Sequence, residues 1–277
     1  MNVAVQPEIA FIGGGNMASA LIGGVLQAGR MPATVLVIEP DDRQRARLAL
    51  QFGVLAIPAA DPVLAGVPLV VWAVKPQAFA AAARPCARHV SAALQLSVMA
   101  GIRTESLLAA TRSERVVRAM PNTPALIGMG IAGLYATPAV RAADRAAAEQ
   151  VLSPSGELLW LDREADLDAV TALSGSGPAY VYYFIEAMTQ AAGEMGLSVE
   201  QGRRLALATF AGATALAQRS SDSPATLREQ VTSKGGTTYA ALMALDNAAV
   251  KATFVRAMHA ARERARGLGD EFGASLG

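Results

Sequence analysis

The chain has 277 residues, 52% of them hydrophobic and 17% charged, with a formal net charge of +1. That is material for one large core or two modest ones, and the near-neutral balance offers no electrostatic pull toward nucleic acid. The single cysteine, Cys86, excludes an intramolecular disulfide, and the two distant histidines, His89 and His259, suit solvated or core positions better than a metal site. No apolar run reaches membrane-spanning length uninterrupted, and Met1 to Glu8 lack the pattern of a secretory signal. A cytoplasmic protein without a metal is expected.

In chain order, Ile9 to Ile12 is a short apolar run ending in glycines and reads as a buried strand. Ala18 to Ala28 follows as a small-residue helix, with Gly29 suited to its C-terminal cap. Val35 to Ile38 reads as a second strand and Asp42 to Phe52 as the next helix. Leu69 to Val74 is a third strand, closed by Lys75-Pro76; Gln95 to Ala100 is a fourth and Arg115 to Met120 a fifth. Strands alternating with helices predict a doubly wound parallel sheet, with ligands gathered along the C-terminal ends of its strands.

The second half has a different texture. After Trp160 no alternating strand pattern appears. Instead, Ala165–Leu173, Ala179–Met195, Val199–Gln218, Pro224–Gln230, Thr237–Leu245 and Asn247–Leu268 read as helices, each starting near Pro, Ser or Thr. The expected organisation is a nucleotide-binding α/β domain over residues 1–160 and an all-helical domain over 161–277. The helices are Ala-rich and more apolar than a small lone bundle needs, which points to a buried subunit interface. A compositional bias toward alanine is the alternative.

Gly13-Gly14-Gly15-Asn16-Met17-Ala18 fits G-x-G-x-x-A after a strand and at the head of a helix. In that pattern Gly13 permits the tight turn, Gly15 lets the backbone approach a pyrophosphate, and Ala18 allows close packing of helix on sheet. The helix start offers free N–H groups to the phosphates. Glu39, at the end of the second strand, stands where an acid would bond a ribose 2′-hydroxyl. Glu39 with Asp41 and Asp42 argues for NADH; Arg43 and Arg45 argue for NADPH, since either guanidinium suits a 2′-phosphate. The residues leave the choice between NADH and NADPH open.

Five blocks carry a resemblance. They are Phe11–Ala18, Val74-Lys75-Pro76-Gln77, Arg118-Ala119-Met120-Pro121-Asn122-Thr123-Pro124, Ser174-Gly175-Ser176-Gly177-Pro178-Ala179-Tyr180 and Val231-Thr232-Ser233-Lys234-Gly235-Gly236-Thr237-Thr238. Together, in this order and across nearly the whole chain, they resemble the pyrroline-5-carboxylate reductase family. The resemblance implies a Rossmann-type domain followed by an all-α dimerisation domain. It implies reduction of L-1-pyrroline-5-carboxylate to L-proline, the last step of proline biosynthesis, usually with NADPH and in some members with NADH. It further implies a homodimer, often assembled into a decamer. Lys234 stands where the family's signature more often has Pro.

The residues fit that chemistry. Ser233-Lys234-Gly235-Gly236 lies just before a predicted helix at Thr237, and consecutive glycines can aim several N–H groups at one anion. Ser233, Gly235, Gly236 and Thr237 are therefore candidates to seat the substrate carboxylate; a plain loop with Thr237 as N-cap is the alternative. Thr238 aligns with the family's threonine that bonds the ring nitrogen, its hydroxyl able to donate and accept. The alternative is a hydroxyl bonded to backbone. Ala73, Val74, Lys75 and Pro76 leave the third strand at the ligand edge and should border the cofactor. Asn122, bracketed by Pro121 and Pro124, would orient the nicotinamide amide or bond its own turn. Ser176, in a run of small residues, would wall the substrate pocket.

Two other functions compete. A 2-hydroxy-acid reductase of the same plan would want a lysine or histidine acid in the helical half, which offers only His259, Lys234 and Lys251. A non-catalytic dinucleotide sensor would keep Gly13–Ala18 but has no use for Ser233–Thr238.

Overall fold

The computed structural model describes residues 5–274. They form two compact units: the chain up to Ser176 together with residues from Ala261 onward, and Gly177–Ala260 between them.

In the first unit eight strands make one sheet: β1 (Ile9–Ile12), β2 (Val35–Ile38), β3 (Leu55–Ile57), β4 (Leu69–Trp72), β5 (Leu94–Ser97), β6 (Val116–Met120), β7 (Gly130–Ala136) and β8 (Gly156–Trp160). Their spatial order is 3-2-1-4-5-6-7-8, parallel throughout except where β7 runs antiparallel to β6. The chain steps outward from β1 to β3, then crosses back to β4 beside β1. That reversal opens the crevice in which such sheets hold ligands. Connecting helices are α1 (Asn16–Gln27), α2 (Asp42–Phe52), α3 (Phe79–Val90), α4 (Thr104–Thr111) and α5 (Ala142–Leu152).

The strands are apolar on both faces because both are covered. Ile9, Phe11, Val35, Val37, Val71 and Leu96 face a core shared with Leu21, Ile22, Leu48 and Val151. Ala10, Ile12, Leu36, Val70 and Trp72 face another, shared with Phe79, Cys86, Val90 and Leu107. Gln95 is buried yet satisfied: its amide donates to the Val90 and Ala93 carbonyls at 2.7 and 2.9 Å and accepts the Trp72 indole N–H at 2.9 Å.

The five strands read from the sequence are present as β1, β2, β4, β5 and β6. β4 and β5 end two and three residues earlier than their apolar runs, because Ala73 and Val98 already belong to the ligand-edge loops. Three strands escaped the reading. β3 is a three-residue edge strand, β7 carries two glycines, and β8 lies at the other edge with alternate residues half-exposed.

Trp160 does end the last strand, but the first unit continues to Ser176. α6 (Asp166–Val170) packs on β6 and β7, with the Val170 side chain closed over Gly133. The helix expected over Ala165–Leu173 is interrupted. From Thr171 to Gly175 the chain widens into a π-helical turn, with Ser176 N–H donating to the Thr171 carbonyl at 2.8 Å.

The second unit holds α7 (Gly177–Glu194), α8 (Val199–Arg219), α9 (Pro224–Gln230), α10 (Thr237–Asn247) and the first part of α11 (Val250–Ala274). α7 and α8 approach closely where Gly202 meets Ala192. Tyr180 and Phe184 of α7 meet the Phe254 ring of α11 at 5.7 and 5.8 Å. No helix among the described residues is long and apolar enough to cross a membrane.

Candidate active site

Gly13 leaves β1 with φ +97°, a conformation that suits glycine; a Cβ there would lie 2.9 Å from the Ala73 carbonyl oxygen and 2.8 Å from the Val74 side chain. The glycine turn is thus pressed against the end of β4, and Ala73 N–H bonds the Ile12 carbonyl at 2.9 Å. Gly15 is exposed, with nothing within 4 Å of where its Cβ would be. It is also the N-cap of α1, and no side chain caps that helix. The first N–H groups of α1, from Asn16, Met17 and Ala18, therefore have no intrahelical partners. An uncapped 12-residue helix behind a bare glycine fits a pyrophosphate. Met17 and Ala18 pack inward and anchor the helix.

Glu39 follows β2 and reaches back to this turn. Its carboxylate accepts the Gly14 N–H at 2.8 Å and the Asp41 N–H at 3.0 Å. Asp41 caps α2 by accepting from the N–H groups of Arg43 and Gln44 at 2.8 and 3.1 Å. The Gln44 amide bonds the Gly14 carbonyl, a link that no motif in the sequence announces. Arg45 donates to the Glu39 and Pro40 carbonyls at 2.8 Å each and pairs with Asp42. Arg43 is exposed, and its guanidinium makes no hydrogen bond or ion pair with described residues.

Val74 and Lys75 continue from β4 along the same edge; the Lys75 side chain is exposed and Pro76 opens a single 3-10 turn. Asn122 follows β6. Its side-chain oxygen accepts the Ile131 N–H at 3.0 Å and its carbonyl the Ala125 N–H at 3.1 Å, so it shapes its own loop. Ser176 ends the π-helical segment that covers β6: the Met120 side chain lies against Gly175. π-helical turns of this kind concentrate at functional sites. Gly13, Gly15, Asn16, Glu39, Val74, Lys75 and Asn122 thus all stand at C-terminal ends of strands in one unit.

In the second unit, Ser233–Gly236 makes a tight turn with Gly235 at φ +75°. Gly236 is extended and is the N-cap of α10, with no side-chain cap. This corrects the alternative of Thr237 as cap: Thr237 is the first residue of the helix. It also trims the nest, because the Gly236 N–H is spent on the Ser233 carbonyl at 3.0 Å. Thr237, Thr238 and Tyr239 supply the free N–H groups of the first turn. Thr171, Thr189 and Thr232 bond their hydroxyls to carbonyls four residues back. The half-buried Thr238 does not; its hydroxyl has no partner among the described residues.

Comparison with known proteins places the chain as a whole. A pyrroline-5-carboxylate reductase from Pseudomonas aeruginosa is 44% identical over 269 residues, covering 96% of this chain and 98% of the relative. The chain belongs to the pyrroline-5-carboxylate reductase family. A model described as pyrroline-5-carboxylate reductase dimerisation matches residues 164–268, and one described as NADP oxidoreductase, coenzyme F420-dependent, matches residues 8–101. The solved structure of a family member from Coxiella burnetii superposes with a TM-score of 0.87 at 32% identity, covering 95% of this chain and 99% of that one. A Plasmodium falciparum pyrroline carboxylate reductase with NADP bound gives 0.85 at 28% identity, covering 95% and 98%.

Within the family's dimerisation region, Glu164 does structural work that the motifs did not reveal. It caps α4, accepting the Thr104 N–H at 2.8 Å and hydroxyl at 2.5 Å, and pairs with the buried Arg118 of β6. Burial pushes its carboxyl up, but Arg118 and the Thr104 bonds outweigh burial and hold it below the usual range. Asp168 nearby is raised by burial against the pull of Arg118 and Arg103. Burial also pushes the Cys86 thiol up to about 11, which leaves it inert at neutral pH.

Proposed function

We propose that this chain reduces L-1-pyrroline-5-carboxylate to L-proline, with Ser233–Thr238 engaging the substrate and the Gly13–Ala18 crevice engaging NADH or NADPH. Family membership supports the reaction: the chain is a nicotinamide-dependent oxidoreductase of a cyclic imine. One observation carries the residue assignment. α10 starts without a side-chain cap behind extended Gly236, and the Thr238 hydroxyl at its first turn has no partner among the described residues.

An uncapped helix start favours an anion by about 0.3–2 kcal/mol, more with direct N–H bonds, so the substrate carboxylate is its natural guest. Backbone donors from Gly235, Thr237 and Thr238 hold it, and Ser233, folded against Gly236, adds a hydroxyl. Thr238 Oγ1 then donates to the ring nitrogen. When bound, the nicotinamide would supply hydride to the carbon next to that nitrogen, and a proton from water would complete the amine while Thr238 keeps its own. The nitrogen grows more basic as this happens, so the Thr238 hydrogen bond strengthens toward the transition state. Ser176 and the small residues around it wall the ring, and Lys75 and Pro76 border the reductant.

The reading includes a homodimer, the unit from which a decamer would be assembled. In the single chain the second unit buries few side chains while Tyr183, Met195, Leu205, Leu216 and Val255 stay exposed. A bundle this apolar outside and this thin inside gains its stability from a partner. A reducing cytoplasm suits its one buried thiol.

The test is steady-state oxidation of NADPH and of NADH, each with pyrroline-5-carboxylate, and competition by proline. Turnover with either reductant, inhibited competitively by proline, is the expected result. No oxidation of either would refute the reaction.

A further inference from the structure

We infer that this chain is built for NADH rather than NADPH, with Glu39 as the residue that selects the reductant and Arg45 withdrawn from that role by its own contacts. The inference rests on the reading that the Gly13–Ala18 crevice binds the dinucleotide.

The chemistry to distinguish is a ribose 2′-hydroxyl against a 2′-phosphate. The hydroxyl can donate a hydrogen bond; the phosphate adds about two negative charges and only accepts. Glu39 stands at the end of β2, one strand from the glycine turn, where an acid meets that ribose position. Its carboxylate is fixed there from two sides, by Gly14 N–H at 2.8 Å and Asp41 N–H at 3.0 Å. Two accepted bonds leave about half of a carboxylate's acceptor capacity for the ribose. Nor is the contact loose: a Cβ on Gly14 would lie 2.5 Å from the Leu48 side chain and 3.3 Å from Glu39 Oε2. Swinging the carboxylate away to admit a phosphate would forfeit both N–H bonds.

The usual ways of welcoming a phosphate are closed. The start of α2 could offer backbone donors, but Asp41 already accepts from Arg43 N–H and Gln44 N–H, and Asp42 adds a further negative charge to the first turn. Arg45 is a second cation at the start of α2, yet it is spent on the Glu39 and Pro40 carbonyls and on Asp42. Those contacts hold the β2–α2 loop in the shape that presents Glu39. Arg43 stays unengaged among the described residues, against three carboxylates, and the likewise exposed Arg47 lies a turn further along α2. The Plasmodium relative, solved with NADP, is only 28% identical and sets no rule for this loop.

The test measures the dissociation constants of NADH and NADPH directly, by titrating nucleotide fluorescence with the intact protein, with no turnover required. The wild type should bind NADH on the order of tenfold or more tightly than NADPH, the scale of one hydrogen bond to a charged group. Glu39→Gln keeps an acceptor for the Gly14 N–H, so the fold survives, and the ratio should fall toward parity. Arg43→Ala should leave the preference for NADH in place. Wild-type protein that binds NADPH as tightly as NADH, or a ratio unmoved in Glu39→Gln, would overturn the inference. If both nucleotides bind and Gly15→Val abolishes both, the crevice reading stands whichever way the ratio falls. If neither binds the wild type, the crevice reading fails and takes this inference with it.

Discussion

Arg118, buried in β6, pairs with Glu164, which lies beyond the end of β8 and in turn caps α4 through Thr104. One carboxylate thereby ties a central strand, a helix start and the approach to the π-helical segment. Glu164→Gln should destabilise the protein by about 1–3 kcal/mol at neutral pH, the cost of leaving buried partners short. The folded-state carboxyl is held low, so its contribution is fully present above the ordinary glutamate value of about 4.3 and is lost as pH falls through the lowered one. Urea denaturation of wild type and variant should therefore differ at pH 7 and converge in acid. A gap that stays constant down to pH 3 would mean the pair carries no such linkage.

Gly13 and Gly15 should answer differently to substitution. At Gly15 the backbone is extended and the space is open, so Gly15→Val should fold normally and lose dinucleotide binding. At Gly13 the φ of +97° and the nearby Ala73 carbonyl make even Gly13→Ala strained, costing about 1–3 kcal/mol of stability. Melting curves paired with nucleotide titrations separate the two. Intact nucleotide affinity in Gly15→Val would sink the proposed pyrophosphate position.

How far these elements were legible depends on where their signal lies. β1, β2, β4, β5 and β6 are buried mainly on both faces and announce themselves as apolar runs. β3, β7 and β8 are short, glycine-bearing or half-exposed, and their pairing comes from neighbours rather than local pattern. The glycine turn and the Ser233–Thr238 loop were readable because motif spacing fixes backbone geometry. Side-chain commitments were harder to read: Glu164 meets Arg118 across 46 residues, Arg45 is occupied by carbonyls just before its own helix, and Asn122 takes the second of its two readings and bonds its own loop. The start of α10 at Thr237 was read correctly, and only the alternative of Thr237 as its cap falls, because Gly236 adopts the extended backbone of that position.

The exposed apolar side chains of α7, α8 and α11 predict self-association. Light scattering at micromolar concentration should give at least twice the 28.6 kDa chain mass. A buried interface beyond the roughly 2,000 Å² of obligate dimers would resist dilution. A monomer under those conditions would contradict the proposed assembly.

Thr238 offers the sharpest test of the chemistry. Its hydroxyl lies in the first turn of α10, half-buried, and the back-bond that occupies Thr171, Thr189 and Thr232 is missing. If it bonds the ring nitrogen, Thr238→Ala should lower kcat/KM by about ten- to a thousandfold, one site hydrogen bond of about 1.4–4 kcal/mol. Nucleotide affinity should stay unchanged, since the residues proposed to hold the dinucleotide belong to the other unit. Thr237→Ala is the control, and the structure sharpens what it should do. Thr237 is not the N-cap, so its loss should cost little stability as well as little activity. Gly236→Val probes the carboxylate seat separately: its Cβ would lie 2.5 Å from the Ser233 hydroxyl and 3.2 Å from the Ser233 carbonyl oxygen, prying the turn open. That variant should raise KM for pyrroline-5-carboxylate. Wild-type turnover in Thr238→Ala would remove the nitrogen contact from the mechanism, and an unchanged KM in Gly236→Val would remove the seat.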